Sequence, residues 1–163
     1  MLFYLLAQAA ALSAPALTPF EFRGMTTYTT ESEAVQRGVV TSCERYAIPG
    51  VRECALVDRS LAGASTLFGT AQFRNGNLVY VSALVSPDEF DRLKAALVER
   101  YGQPCLQDPS ASRMQKVGHS YYWCFSDGAA TLEQISTGGM SGFSFYARSY
   151  DDIIADLRPK VDF

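Results

Sequence analysis

Two apolar-rich runs, residues 67–74 and 77–85, flank Asn75-Gly76. A period of two is a strand signature, and Asn-Gly readily takes positive φ at both centres of a type I′ turn. The stretch therefore predicts a β-hairpin. That register sets Phe73 across from Leu78 and Ala71 across from Tyr80, with Leu84 on the same face. Phe68, Thr70, Gln72, Val79 and Val81 fall on the other face. The period then changes, and Phe90, Leu93, Leu97 and Tyr101 recur at helical spacing. Ser86-Pro87-Asp88-Glu89 offers a capping hydroxyl, a proline at N1 and carboxylates at the positive end of the helix dipole. Gly102 and Pro104 close the element. The pattern predicts one long amphipathic helix over 87–101, with Asp88 and Arg92 paired on its wet face.

The same two periods organise the rest of the chain. Residues 19–28 read as an extended lead-in. Thr30 and Glu33 form a capping box ahead of Ala34 and Val35, and Gly38 ends a helix of about two turns. Residues 39–46 and 51–57 are strands around the turn Ile48-Pro49-Gly50. Leu61-Ala62-Gly63-Ala64-Ser65 reads as a small-residue loop, and 107–113 as a polar one. Residues 119–125 form a strand by their aromatic content. Asp127-Gly128 is a second type I′ candidate, setting Trp123 across from Leu132 and Phe125 across from Ala130. Residues 143–147 make a last strand, and Ser149 with Asp152 caps a final helix whose stripe is Ile153, Ile154 and Leu157. Hairpins without regular strand–helix alternation predict an α+β fold. It has an antiparallel sheet of about six or seven strands, the 87–101 helix on one face and short helices near each end.

Composition narrows this to one globular domain: 163 residues, 48% of them hydrophobic, are enough to bury a core. A net charge of -3 without any Lys/Arg cluster argues against a nucleic-acid or anionic-membrane partner. The start of the chain changes the picture more. Leu2-Phe3-Tyr4-Leu5-Leu6 and the alanines through Ala11 form an uncharged apolar run, shorter than the ~20 residues a membrane span needs. Ala14-Pro15-Ala16 offers the small residues that a signal peptidase reads. Residues 1–16 are thus expected to be a signal peptide and 17–163 a single α+β domain, periplasmic or secreted, with no membrane span once the signal is removed.

Export agrees with the four cysteines, which allow three pairings. Neighbouring elements favour Cys43–Cys54 and Cys105–Cys124 over free buried thiols. With one histidine and no Cys-x-x-Cys, no metal site is expected. His119 is the only histidine, so a hydrolase mechanism would have to use it with a loop serine or carboxylate. Gly-x-Ser-x-Gly is absent, and the carboxylates at Asp88, Glu89 and Asp91 and at Asp151, Asp152 and Asp156 sit where first helical turns favour them. No catalytic residue and no cofactor is assigned. The aromatic strands suggest most: Tyr121, Trp123 and Phe125 are expected on the core face, leaving Tyr122 and Tyr146 as possible interface anchors.

The start of the domain, with Gly24-Met25-Thr26, Val35 and Gly38, leads through strand pairs to the helix end Tyr101-Gly102-Gln103-Pro104. This resembles small exported α+β proteins of the β-lactamase-inhibitor and outer-membrane-assembly lipoprotein type. The chain departs from them in lacking a lipid-accepting cysteine, in the spacing from Thr26 to Val35, and in the helix after the hairpin. The resemblance implies a binding role in the envelope without catalysis. A non-catalytic module binding another envelope or extracellular protein is thus the first expectation. The alternatives are a hydrolase using His119 or a carrier of a small apolar ligand between helix and sheet.

Overall fold

The computed structural model of the protein describes residues 17–108, 120–135 and 140–149. In chain order its elements are α1 (Glu31–Gln36), β1 (Glu44–Arg45), β2 (Val51–Ala55), β3 (Ser60–Leu61), β4 (Ala64–Arg74) and β5 (Asn77–Val85). After a 3₁₀ turn at Pro87–Glu89 come α2 (Phe90–Tyr101), β6 (Leu106–Asp108), β7 (Ser120–Phe125), β8 (Gly128–Ile135) and β9 (Met140–Ala147). Eight strands form one antiparallel path, β1-β2-β4-β5-β9-β8-β7-β6, and β3 pairs with β4 off that path. The α+β class is as the pattern implies, with more strands than the expected six or seven. One addition is β3, because Ala62 and Gly63 both take positive φ and close a tight hairpin within the stretch read as a loop. The other is β6, in the segment read as polar loop.

Asn75 and Gly76 have φ of 51° and 85°, as a type I′ turn requires, and Phe73 pairs with Leu78. The next expected pair is wrong: Tyr80 faces Gln72, and Ala71 faces Val81. One extra residue, Val79, bulges from β5 and reverses its alternation. Val81, Ala83 and Val85 therefore enter the core, while Tyr80 and Leu84 turn outward. Val79 packs with Val51 in a small separate cluster. The β7–β8 turn is Ser126-Asp127, not Asp127-Gly128, so Trp123 faces Ala130 and Phe125 faces Gly128. This slip of two residues leaves every side chain on its expected face. A side chain at Gly128 would run into the Tyr146 carbonyl oxygen, so glycine is needed there for the close approach of β9.

The expected long amphipathic helix over 87–101 is also corrected. Its first turn is 3₁₀, and only the 12 residues of α2 are α-helical. Ser86 makes no capping bond to a backbone amide; its hydroxyl instead hydrogen-bonds Asp88 and holds that carboxyl below its usual range. Arg92 pairs with Glu89 at 3.6 Å, not with Asp88. Burial of Phe90, Leu93 and Leu97 contributes about 6 kcal/mol gross, before the entropy of ordering the helix. At the N-terminal end α1 has its full capping box: Thr30 accepts from the Glu33 amide and Glu33 accepts from the Thr30 amide. The expected C-terminal helix lies outside the described residues.

Residues 19–28 are not a plain extended lead-in. Arg23 and Gly24 turn tightly at positive φ, Phe22 bridges Met25, and Phe20, Phe22 and Met25 are all buried. The Phe20 ring stacks on Phe145 at 3.6 Å and meets Phe125 edge-on at 5.2 Å. Asp127, in the β7–β8 turn, fastens the segment by accepting from the Phe20 amide and the Thr27 hydroxyl, each at 2.8 Å. One sheet face is thus covered by α2, α1 and the N-terminal segment around a core that includes Trp123, Phe143, Phe145 and Leu132. Two disulfides join Cys43 to Cys54 and Cys105 to Cys124. The first crosses the β1–β2 hairpin, and the second ties the stretch after α2 to β7.

Candidate interaction surface

Alternation forces the side chains between the core positions onto the opposite sheet face. The registers align Gln72, Tyr80, Tyr146, Ala129 and Cys124 in one outward row. Thr70, Ser82, Ser144, Thr131 and Tyr122 make the next row, and Phe68, Leu84, Gly142 and Glu133 a third. The first row thus holds Tyr80 and Tyr146, the second is rich in hydroxyls, and the third sets Phe68 and Leu84 in line with the Glu133 carboxylate; Gln72 and Thr70, at the β4 end of their rows, are buried. Thr70 and Ser82 hydroxyls lie 3.1 Å apart, Tyr80 and Ser144 hydroxyls 3.3 Å apart, and the Tyr80 and Tyr146 rings 4.9 Å apart. Burial, with the Tyr80 hydroxyl adding to it, pushes the Tyr146 phenol well above its ordinary value.

In and beside the third row, Phe68 is 54% exposed and Leu67, the extra residue of a second bulge, is 59% exposed. The Leu56 amide donates to Gly69 O at 2.9 Å, which continues the β2–β4 register and sets Val57, 54% exposed, across from Phe68. Exposed side chains of this size grouped on one face make it the candidate interaction surface. Of the residues singled out from sequence, Tyr146 lies on this face at 36% exposure, and Tyr122 is half-buried in the hydroxyl row. His119 lies outside the described residues. Sequence reasoning placed Phe68 on the second face but did not connect it with Val57 and Leu67. The signal available was apolar residues at outward positions beside Gly69.

Two open clefts lie elsewhere. One of about 360 Å³ runs beside Glu21, Arg100, Tyr101 and Phe125, and one of about 860 Å³ lies between α1 and the β1–β2 hairpin, beside Val35, Cys43 and Arg52. Arg100 pairs with Glu21 at 3.0 Å and Arg52 with Glu31 at 2.8 Å, so the cations in both clefts are engaged within the fold. Shifted titrations also point to structural work. Hydrogen bonds from Thr30 lower Glu33, and those from Arg23 and Ser60 lower Asp58. Burial raises the phenol of Tyr101, against the neighbouring Arg100. All these shifts lead away from neutral pH, where a general acid or base works best. Among the described residues no group of three or more His, Cys, Asp or Glu side chains is placed to hold a metal ion.

No helix among the described residues is long and apolar enough to cross a membrane. The fold and surface define a disulfide-linked α+β domain with one packed and one outward face, and two disulfides fit an oxidising environment. No family model, curated protein or solved structure matches the chain.

Proposed function

We propose that the protein is an exported, non-catalytic binding module of the periplasm or the extracellular space. Its partner is another envelope or extracellular protein, which docks on the outward sheet face. The observation that carries this reading is the grouping of Val57, Leu67 and Phe68, each more than half exposed, at one end of a face that carries Tyr146 at the other. A small-ligand carrier has less support, because Phe90, Leu93, Leu97, Trp123 and Phe143 fill the space between α2 and the sheet.

The test places a photo-crosslinking side chain at position 68, 146 or 92 in the host that makes the protein. Positions 68 and 146 should yield one common adduct, and position 92, on the helix side, should not. An adduct from position 92 alone, or equal adducts from all three, would overturn the reading.

A further inference from the structure

The two disulfides stand in different surroundings. Cys54 is 1% exposed and Cys43 9%, and both belong to the core cluster. Cys105 and Cys124 are exposed, and Cys124 is on the outward face of β7. Thiol–disulfide exchange needs a thiolate to reach a sulfur, so access separates the two bonds before any difference in intrinsic stability does.

The exposed bond also has more to release. It anchors β6, whose ladder to β7 comprises three residue pairs, with the Cys105 amide donating to Tyr122 O at 2.8 Å just before it. On the other side of Cys105, Trp123 Nε1 donates to Gly102 O at 2.9 Å and holds the end of α2 on β7. The core bond instead crosses a hairpin that also pairs with β4.

We propose that Cys105–Cys124 is a reducible latch on the β6 edge of the sheet, while Cys43–Cys54 is a permanent staple. A dithiol reductant opens the latch: its thiolate attacks one sulfur, the S–S bond breaks and a mixed disulfide forms. The second thiol of the reductant then closes its own disulfide. Two electrons and two protons pass to Cys105 and Cys124, which become thiols. With the latch open, β6 is held by its short ladder alone, and the edge of β7 becomes available for pairing with another strand.

The experiment treats the folded, oxidised protein with graded dithiothreitol without denaturant, traps thiols by alkylation and maps the labelled peptides. Cys105 and Cys124 should be labelled at least about tenfold faster than Cys43 and Cys54. Amides 106–108 should lose hydrogen-exchange protection in the singly reduced species, while those of β4 and β5 keep theirs. The double variant Cys105→Ser, Cys124→Ser should show the same exchange pattern without reductant. If that variant fails to fold, the graded reduction of the natural chain still decides. Reduction of both bonds at one rate, earlier reduction of Cys43–Cys54, or unchanged protection of 106–108 after the exposed bond opens would each overturn the proposal.

Discussion

Asp127→Ala removes the only carboxylate that fastens the N-terminal segment to the β7–β8 turn among the described residues. Two hydrogen bonds are lost, from the Phe20 amide and the Thr27 hydroxyl, each 2.8 Å long. Bonds to a charged acceptor are worth about 1.5–3 kcal/mol each, and two on one carboxylate are not fully additive, so the expected cost is ~3 kcal/mol. If the segment detaches, the burial of Phe20, Phe22 and Met25, about 6 kcal/mol gross, is lost as well. Asp127→Asn keeps an acceptor for the Phe20 amide and should cost about half as much as the alanine variant. Urea unfolding followed by fluorescence reads this directly, because the chain has a single tryptophan and Trp123 is buried in the core. The midpoint should fall with little change in slope. An unfolding free energy for Asp127→Ala within about 0.5 kcal/mol of the parent would refute the fastening role.

Gly128→Ala should cost about 3 kcal/mol, since the new methyl would meet the backbone oxygen of Tyr146, whereas Gly38→Ala, with open space but φ of 68°, should cost about 1 kcal/mol; calorimetry of both variants checks the order. Thr30→Ala should cost about 1 kcal/mol by uncapping α1, read in the same urea assay. The same pair sets an acid limit: Glu33 is lowered in the fold, so its contribution is present above the unfolded carboxylate value and fades as pH falls through the folded one. Tyr101 sets an alkaline limit. Its phenol is raised by burial, so its stabilisation is full below the unfolded value near 10 and is lost as pH rises through the folded value. Tyr101→Phe should therefore lose less stability than the parent as pH rises above about 10. At neutral pH it should cost about 1 kcal/mol, for the lost hydrogen bond to Glu21 O.

Local chemistry was the legible part of this fold. Asn75-Gly76 fixed its turn and Thr30 with Glu33 its cap, because each signal lies within four consecutive residues. What escaped depends on contacts distant in sequence. Nothing near Val79 marks a bulge, yet that one residue exchanges the faces of Tyr80 and Val81. Gly128 looks like a turn glycine, but its need is set by the backbone of β9, some twenty residues away. The tight turns at Arg23-Gly24 and Ala62-Gly63 were hidden because arginine and alanine seldom take positive φ. For the candidate surface, alternation alone put Tyr122 and Tyr146 away from the core. The apolar group on that face needed the β2–β4 register, which no local pattern reveals.

The measurement that bears most directly on the account is the intact mass and non-reduced peptide map of the protein isolated from its own host. A chain beginning at Leu17, with Cys43 linked to Cys54 and Cys105 to Cys124, is the predicted result. A chain retaining Met1, with four thiols open to alkylation, would contradict both export and the stapled sheet from which the binding role is argued.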